Sequence, residues 1–500
     1  MPSRRNIPHI FDLPAAPDLE QQRKRAKDLL KAVRAGDGEA LGRFARLHPR
    51  FAGSPTIRKD ACLIDAQWVI AREYGFASWP RLKAHIEALG GKRKPEVRRP
   101  FETDLQYYRD RAGGMLSVFG TGERNAVRLV RLFHPAYAQA AEADIRAATL
   151  TQADAELIVA REHGFESFEA FATYITALRE KRVSEPFALA FAAIRTDDRA
   201  QLGALLEDHP DLANAAGTNG NRLTMLAMSF GRSAMVEDLL VAGADPDLPN
   251  NKGWTALHQA AYAHPPGDPA AGLATLELLL NAGASPYAEA YGDGGTPLAV
   301  ALFWGHVPLA ERLARAAIAP LNLRVAAGLG RLDLMKPFFE KDRLRPEAGW
   351  HREFHRPHSG FPPWRPSDEP AEILAEALGC AARSDRLDAM AFLIERGTDI
   401  DAEPYNGTAL HWAVARRRPE AAAWLLDHGA DINRRAAFGG TRGVTPLHVA
   451  AAWEGSPDCA RLLLARGADV TIRDAMQDGT PAGWASFFKN DAIKRMIDDA

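Results

Sequence analysis

The 500-residue chain contains little cysteine and no long apolar run. Its three cysteines, Cys62, Cys380 and Cys459, lie far apart and form no Cys-x-x-Cys pair, so no disulfide framework is predicted and a reducing cytoplasm is favoured. The start of the chain has Arg4 and Arg5 but no apolar region, which argues against a secretion signal. No apolar stretch reaches the ~18–20 residues of a membrane span. The abundance of Ala, Arg, Gly and Pro is typical of a bacterial protein.

The chain also lacks an overall charge bias, because 62 basic residues nearly balance 64 acidic residues. Residues 1–100 contain 21 basic and 11 acidic residues, whereas the remainder contains 41 and 53. This asymmetry indicates either two surfaces with different binding preferences or chance composition on solvated helix faces. Enzyme motifs are missing as well: there is no P-loop, no dinucleotide-binding fingerprint, no Gly-x-Ser-x-Gly and no His-Glu-x-x-His. Since catalytic groups are assembled in space, these absences alone do not exclude an enzyme.

Two short phrases, in contrast, recur along the chain. The first is Thr-Ala-Leu-His or a variant of it, at 255–258, 296–298, 408–411, 445–448 and 480–482. The second is Leu-Leu-x-x-Gly-Ala, at 239–244, 279–284, 425–430 and 463–468. The last three copies of the first phrase start 37 and then 35 residues apart. Recurrence at such a period predicts a stack of similar units rather than one globular core.

The chemistry of the phrases predicts a pair of helices in each unit. Thr can cap the first helix through its hydroxyl, and Pro at the next position suits a turn in which no N–H is needed. The leucines are expected in the core between units, and Gly ends the second helix in the left-handed conformation. The phrases resemble the ankyrin repeat, a unit of ~33 residues with a β-turn and two helices. The resemblance covers residues 187–500 and implies an all-α ankyrin-repeat solenoid.

About nine units are expected, and several depart from the pattern. Residues 187–218 lack the Thr phrase, residues 321–341 lack the Gly-Ala terminator, and residues 371–403 keep only parts of both phrases. Residues 341–370 have no place in an ankyrin unit and are predicted to be an insertion. Weak repeats beside such an insertion indicate either a specialised binding edge or decayed repeats.

The insertion at 341–370 admits three interpretations: a plain loop, a loop that contacts a partner through Trp350 and Trp364, or a zinc site. Three histidines stand at i, i+4 and i+7 and would share one helix face: His351, His355 and His358. Three histidines could bind zinc. Pro357 lies within this run and disfavours a helix there, and no fourth ligand is indicated, so no metal is expected.

The front of the chain repeats a different pattern. Ala-Arg-Glu-Tyr-Gly-Phe at 71–76 recurs as Ala-Arg-Glu-His-Gly-Phe at 160–165, and a His-Pro pair precedes each copy. The longer form Gly-Phe-x-Ser-Trp is similar to a segment that accompanies many bacterial ankyrin-repeat proteins. In this segment Gly75 can end a helix, while the side chains of Trp79 and Leu82 can be buried in the core. The pattern predicts an α-helical extension with the following parts: a flexible N-terminus at 1–22, module 1 at 23–90, a basic linker at 91–105 and module 2 at 106–182.

Two groups of polar residues invite a functional interpretation. His258, His411 and His448, from the Thr phrase, could be metal ligands or catalytic groups, but the resemblance to ankyrin repeats implies that they bond backbone between neighbouring repeats. The basic linker is predicted to be exposed and extended and could contact nucleic acid. It lacks interleaved aromatic residues, so nucleic acid is not expected as a partner.

The resemblance implies a non-catalytic scaffold that binds a protein partner, without cofactor or metal, as a monomer. The residues predicted to contact the partner lie at turn tips and in the insertion: Asn250, Asn251, Lys252, Trp254, Tyr291, Asp293, Trp350, Trp364, Tyr405, Asn406 and Phe438. The alternative is an enzyme or effector whose active region lies in residues 1–186, with the repeats as a targeting module.

Overall fold

The computed structural model is built largely of α-helices and divides into two compact units. The first unit comprises Met1–Pro297 with Ala316–Ile318, and the second comprises Leu298–Arg315 with Ala319–Ala500. The structure describes residues 18–48, 51, 57–61, 63–74, 79, 82–83, 86, 96–120, 124–262, 269–290, 295–318, 321–341, 343–349, 369–404, 407–453 and 455–500. Within these ranges, no helix combines the length and the apolar character that a membrane crossing requires.

The first unit opens with a helical module. Its helices are α1 (Leu19–Ala35), α2 (Gly38–Leu47), α3 (Ile57–Asp60) and α4 (Leu63–Glu73). Asp18 caps α1 by accepting a hydrogen bond from the backbone N–H of Gln21, so this helix begins four residues before the boundary predicted at residue 23. Trp79 and Leu82 are buried in the core of the module, as the sequence predicts.

A second helical module follows in the first unit. Its helices are α5 (Leu105–Gly120), α6 (Arg124–Phe133), α7 (Glu142–Ala147), α8 (Gln152–Glu162) and α9 (Phe168–Arg179). Thr151 and Asp154 form a reciprocal capping box at the start of α8, and Ser167 caps α9. Phe171 and Ile175 are buried against α5 and α8, so the apolar stripe of α9 faces the module's core.

The same two kinds of polar contact occur within each of the two modules. The His of each His-Pro pair approaches an Asp of a later helix, with an Nε2–Oδ1 distance of 3.1 Å for His48 and Asp65 and 3.2 Å for His134 and Asp154. The Glu of each Ala-Arg-Glu phrase is buried and pairs with an arginine. These pairs are Glu73 with Arg43 and Glu162 with Arg111. The repeated sequence therefore encodes a repeated packing arrangement.

Helix pairs of the repeat array complete the first unit. They are α10 (Pro186–Thr196) with α11 (Arg199–Asp208), α12 (Leu223–Ser229) with α13 (Ser233–Val241), and α14 (Ala256–Tyr262) with α15 (Pro269–Asn281). The first leucine of each Leu-Leu phrase, Leu239 and Leu279, is fully buried. The following glycines, Gly243 and Gly283, have φ angles of +92° and +90°, which confirms the predicted helix ends.

Both front modules pack onto turns of these repeats. The hydroxyl of Tyr287 lies 2.9 Å from Nε2 of His48, and its ring centroid lies 4.1 Å from that of Trp68. Lys83 pairs with Asp245 at 3.1 Å. These contacts hold the first front module against the repeats within the first unit.

The two arginines in the described part of the linker contact other parts of the chain, whereas Glu96 and Val97 beside them are exposed. Arg98 donates hydrogen bonds to Asn251 at 3.2 Å and to Glu96 at 3.0 Å, and its side chain is largely buried. The backbone N–H of Arg99 donates to the carbonyl of Ala216 at 2.8 Å, which forms a short bridge to the array. For Arg98 and Arg99 the prediction of a solvent-exposed basic linker is wrong, because both arginines find partners within the chain. The other basic residues of the linker, Lys92, Arg93 and Lys94, lie outside the described residues.

The second unit is also built of helix pairs. Its helices are α16 (Pro297–Phe303), α17 (Val307–Ala316), α18 (Leu323–Gly328), α19 (Leu332–Met335), α20 (Pro370–Arg383), α21 (Leu387–Ile394), α22 (Ala409–Ala415), α23 (Pro419–Asp427), α24 (Pro446–Ala451), α25 (Pro457–Ala465), α26 (Pro481–Phe487) and α27 (Asp491–Asp498). One core of small and apolar residues runs through them and includes Leu410, Leu425 and Leu447. The described residues thus confirm an all-α ankyrin-type solenoid.

Two short antiparallel ribbons interrupt the helices of the second unit. The first joins β1 (Phe339–Glu340) to β2 (Arg343–Leu344), and the second joins β3 (Ala436–Phe438) to β4 (Thr441–Val444). The predicted insertion begins with β2 and a 3-10 turn at Pro346–Gly349, and α20 starts at its end. The intervening residues 350–368 lie outside the described ranges.

A Thr–His pair builds the start of three repeat helices. Thr408 Oγ1 accepts a hydrogen bond from the backbone N–H of His411, and the backbone N–H of Thr408 donates to Nδ1 of the imidazole. Nε2 of His411 lies 3.0 Å from the carbonyl oxygen of Val444 in the next repeat. His258 and His448 make the equivalent bonds to Gly295 and Gly479. The predicted structural role of these histidines is confirmed.

Candidate partner-binding surface

Asn251 lies inside the first unit rather than at a free turn tip. Its side chain is only 3% exposed. The amide donates to Oε1 of Glu162 at 2.6 Å and accepts from Arg98 at 3.2 Å. The prediction that Asn251 contacts a partner is therefore corrected, because the second front module already occupies this turn.

Trp254 is also withdrawn from solvent, at 9% exposure. Its ring stacks on His258 with a centroid distance of 5.9 Å and meets the edge of Tyr262 at 5.6 Å. Phe438, the last of the predicted turn residues, is buried as well. Trp254 and Phe438 therefore pack within the fold, although the sequence predicted that they contact a partner. Lys252, in contrast, is exposed.

Asn250 is half-buried and donates from Nδ2 to Oδ1 of Asn221 at 2.9 Å. The other predicted contact residues lie outside the described ranges: Tyr291, Asp293, Trp350, Trp364, Tyr405 and Asn406. The same holds for the three histidines of the insertion, His351, His355 and His358. Among the residues that the structure does describe, no group of three or more His, Cys, Asp or Glu side chains is arranged to hold a metal ion.

Glu162 is the centre of the polar contact between the second front module and the repeats. It accepts hydrogen bonds from Arg111, from the backbone N–H of Asn219 at 3.1 Å, and from Asn251. Burial alone would raise the pKa of Glu162, but the charge of Arg111 and these hydrogen bonds bring it below its ordinary value. The carboxylate is therefore charged and fully engaged, so its role is to dock the module.

In the second unit, aromatic and arginine side chains from the first helices of successive repeats come together with Phe438 of strand β3. We call this set the aromatic–arginine row, and its members are Phe303, Trp304, Arg383, Trp412, Arg416, Phe438, Trp453, Phe487 and Phe488. Four members of the row, Trp304, Arg416, Trp453 and Phe488, share one position in the repeat. The residue eight positions after each Thr of the phrases at 296, 408, 445 and 480 is aromatic or arginine in every case.

Ring contacts connect the members of the row. The guanidinium of Arg383 lies 3.7 Å from the ring centroid of Trp412 and 4.6 Å from that of Phe303. From Trp412 the contacts continue to Phe438 at 4.9 Å and from there to Trp453 at 6.2 Å. Stacking between arginine and aromatic rings is favourable and holds both groups in fixed positions.

Exposure increases along the row toward the C-terminal repeats. Arg383 and Trp412 are buried, whereas Trp453 is 48% exposed and Phe487 is 80% exposed. Phe488 joins these two exposed residues, with ring distances of 5.7 Å to Trp453 and 5.1 Å to Phe487. We refer to Trp453, Phe487 and Phe488 as the aromatic end of the row. Large rings that lie together and are exposed mark an interaction site.

The backbone at Trp453 is strained, since φ is +47° for a bulky residue. Asn490 holds this segment by donating from Nδ2 to the carbonyl oxygens of Ala451 at 2.9 Å and Trp453 at 3.0 Å. The turn of the β3–β4 hairpin lies on the ring, because a Cβ placed at Gly439 would come within 2.6 Å of the Trp453 Cη2 atom. Such strain costs on the order of 1–3 kcal/mol. The same left-handed position recurs two residues after the first helices of other repeats, at Asp385, Arg417 and Lys489, so the turn of the repeat imposes it.

The β3–β4 hairpin next to Trp453 presents arginines to solvent. Ala436, Phe438 and Val444 point into the core, whereas Arg435 and Arg442 are exposed. On the far side, the backbone N–H of Ala475 donates to the carbonyl oxygen of Arg442 at 2.8 Å, which joins the hairpin to the next turn. The hairpin thus combines a fixed backbone with outward positive charge.

The sequence prediction missed Trp453 and Phe487. It placed contacts on the turns by analogy with the repeat pattern and did not follow the position eight residues after each Thr. That spacing is visible in the sequence and could have identified Trp453 and Phe488, but not Phe487, which stands seven residues after Thr480. Exposure along the row could not have been predicted, because it depends on which rings the neighbouring repeats cover.

Comparison with known proteins identifies ankyrin repeats at residues 224–324 and 369–436, and again at 410–464. Over 133 residues the chain is 33% identical to ankyrin repeat and SOCS box protein 11 of Danio rerio, covering 26% of this chain and 42% of that protein. It is 40% identical over 74 residues to protein PhlB of Serratia liquefaciens, covering 15% and 30%.

A third match is 38% identical over 84 residues to palmitoyltransferase Hip14 of Drosophila melanogaster, covering 17% of this chain and 13% of that protein. The matched segments therefore span less than half the length of each of these three relatives. Each match leaves most of the relative's length uncovered.

Proposed function

Because this chain is an ankyrin-repeat protein, we propose that it is a non-catalytic scaffold and that it holds a protein partner at the aromatic end of the row. The observation that carries the proposal is the exposure of Trp453 and Phe487 on a rigid helical frame. Aromatic residues are the side chains that most often dominate protein–protein binding energy. The repeat array fixes them before the partner arrives, which reduces the entropy lost on binding.

The aromatic end is large enough to anchor a partner. Burying a large aromatic side chain contributes roughly 1.5–3 kcal/mol by the area scale, and Trp453 and Phe487 are both available for such burial. Three contacting rings also present a continuous apolar surface, which a partner can cover in one step. Asn490 holds the backbone of Trp453 through its carbonyl oxygen, and the turn at Gly439 lies against the Trp453 ring.

The chemistry of the buried polar groups supports a non-catalytic role. Burial raises the pKa of the Cys380 thiol, and it raises that of Cys459 to about 11, so neither is activated as a nucleophile. In the front modules, Glu73 and Glu162 are occupied by arginine partners. The alternative of an active region in residues 1–186 gains no support from these groups.

The similarity to a palmitoyltransferase does not favour enzymatic activity for this chain. It covers 84 residues, which is about two and a half ankyrin units of ~33 residues. A stretch of that length is accounted for by repeats alone. The proposed setting is the cytoplasm, which suits the two described cysteines because both are free thiols. We expect the scaffold to act as a monomer, with the partner as a separate protein.

Photochemical cross-linking tests the proposal. Phe487 is replaced by p-benzoylphenylalanine in the full chain, and the protein is irradiated in an extract of its native organism. A matched control carries the same group at Val241, which is 84% exposed at the end of an outer helix in the first unit. We expect a protein adduct at position 487 that excess unlabelled wild-type chain abolishes and excess Trp453→Ala chain does not. Equal adducts at both positions, or equal competition by both chains, would contradict the proposal.

A further inference from the structure

We infer that the partner presents an acidic segment beside an apolar anchor, and that the β3–β4 hairpin receives the acidic part. This inference rests on the proposed function, since the anchor would occupy the aromatic end of the row. The hairpin and the aromatic end are in direct contact through Gly439 and Trp453. A ligand that covers Trp453 therefore extends naturally onto the hairpin.

Charge on the hairpin is of one sign. Residues 433–444 contain Arg434, Arg435 and Arg442 and no acidic residue. Arg434 is neutralised by Glu403 at 3.2 Å. Arg435 donates to the carbonyl oxygen of Arg473 at 3.1 Å, which fixes the guanidinium without cancelling its charge. Two positive charges therefore remain on this surface.

The acidic residues of the neighbouring turn do not cancel these charges. Asp478 pairs with Arg473 at 3.2 Å. Asp474 is buried and accepts hydrogen bonds from the backbone N–H groups of Met476, Gln477 and Gly479 and from the Trp484 indole. Burial would raise the pKa of Asp474, but these donors lower it to about 2. The charged carboxylate is therefore occupied by hydrogen bonds within its own turn. Glu454, which follows Trp453 in sequence, lies outside the described residues.

The arginines of the hairpin and the rings of the aromatic end contribute to recognition in different ways. Guanidinium groups match carboxylates in shape and can donate two parallel hydrogen bonds. Exposed ion pairs contribute little affinity, so we expect the arginines to orient the ligand and the aromatic end to provide most of the binding energy. A nucleic acid would require a longer basic track, because its affinity comes mainly from many phosphate contacts. An acidic protein segment with an aromatic or long aliphatic residue fits the observed arrangement best.

Selection from a display library of random 16-residue peptides on the immobilised full chain tests this inference. We expect enriched peptides in which Asp or Glu flanks Trp, Phe or Leu. Their affinity for the Arg442→Glu chain should fall roughly fivefold, as expected for an exposed charge pair that is reversed. The Arg461→Glu chain is the matched control, because Arg461 is also exposed but lies on the outer helix α25. Its affinity should not change.

The other outcomes separate the two proposals. Enriched peptides that are neutral or basic and lose affinity with Trp453→Ala would overturn the acidic partner and leave the proposed function standing. Peptides unaffected by both Trp453→Ala and Arg442→Glu, or no enrichment at all, would contradict both. A labelled 20-nucleotide single-stranded RNA serves as a second probe. Tight RNA binding that Arg442→Glu abolishes would replace the acidic protein segment by a nucleic acid.

Discussion

At the scale of single residues, His258, His411 and His448 show how one side chain joins two repeats. Each ring closes the cap of its own helix and reaches a backbone carbonyl of the next unit. Burial lowers the pKa of His258 and His411 to about 4, so both rings are neutral at pH 7. A neutral ring supplies one donor and one acceptor, which is what these two contacts require.

Replacing His411 by Ala should destabilise the chain by about 2–4 kcal/mol, because a buried ring and two hydrogen bonds are lost. The free energy of unfolding is measured by urea denaturation of the full chain, followed by the circular dichroism of its helices. His428→Ala is the control, since His428 is exposed at the end of an outer helix. Similar losses from both substitutions would show that His411 does not bridge repeats.

The cost of His411→Ala should also depend on pH. The folded pKa of about 4 lies below the ordinary value of 6.5, so the unfolded chain takes up a proton first as the pH falls. The stability that the neutral ring provides is complete above pH 6.5 and declines toward pH 4. We expect the destabilisation by His411→Ala to be smaller at pH 5 than at pH 7.5 by about 1–2 kcal/mol. A constant difference would mean that the ring titrates normally in the folded chain.

The role of these histidines could be predicted from sequence, whereas the role of Asn251 could not. The Thr phrase contains both partners of the cap, so His411 needs only local information. Asn251 is positioned by Glu162, which lies 89 residues earlier in the chain. Nothing in the residues around either position indicates that the two side chains meet.

At the scale of elements, the β3–β4 hairpin depends on a glycine at its turn. Gly439 has a φ angle of +59°, and any side chain there would meet the Trp453 ring. Gly439→Ala should therefore cost more than the ~1 kcal/mol of a left-handed alanine, by a further 1–3 kcal/mol for overpacking. Thermal unfolding measures the difference.

Gly467→Ala is the matched control for the hairpin, because Gly467 has a φ angle of +80° and open space around its Cα. It should show the cost of backbone strain alone. If the two variants unfold at the same temperature, the ring does not lie against the turn. Such a result would also weaken the account of how Trp453 is held.

The docking of the second front module depends on Glu162. Glu162→Gln leaves Arg111 buried without its counter-charge and should destabilise the contact by roughly 3 kcal/mol. Hydrogen–deuterium exchange should then increase in peptides that cover residues 216–222 and 249–254. Glu166→Gln is the control, since that side chain is 84% exposed on the same module. Unchanged exchange in the Glu162 variant would place the docking energy elsewhere.

At the scale of the whole molecule, the repeat array follows from the sequence because each unit repeats its own folding signals. The front modules were predicted as an extension, and their internal duplication is visible in the Ala-Arg-Glu phrase. The sequence did not indicate that the front modules pack on the turns of the first repeats. This packing arises from contacts between distant residues, such as His48 with Tyr287, which lie 239 residues apart. Arg98 in the linker was wrongly predicted to be exposed for the same reason, because its partner Asn251 lies far along the chain.

This architecture assigns different tasks to the turns of the two units. In the first unit, the front modules cover the turns around Asn219, Asn251 and Tyr287. In the second unit, the hairpin and the aromatic end carry exposed arginines and rings. A partner is therefore expected to bind the second unit.

Hydrogen–deuterium exchange of the full chain tests this claim most directly, measured with and without the protein captured at position 487. The account predicts slower exchange on binding in residues 436–453 and 481–488, with no change in the outer helices α21, α23 and α25 or in the first unit. Protection of those outer helices, or of the turns covered by the front modules, would contradict the placement of the partner on the aromatic end of the row.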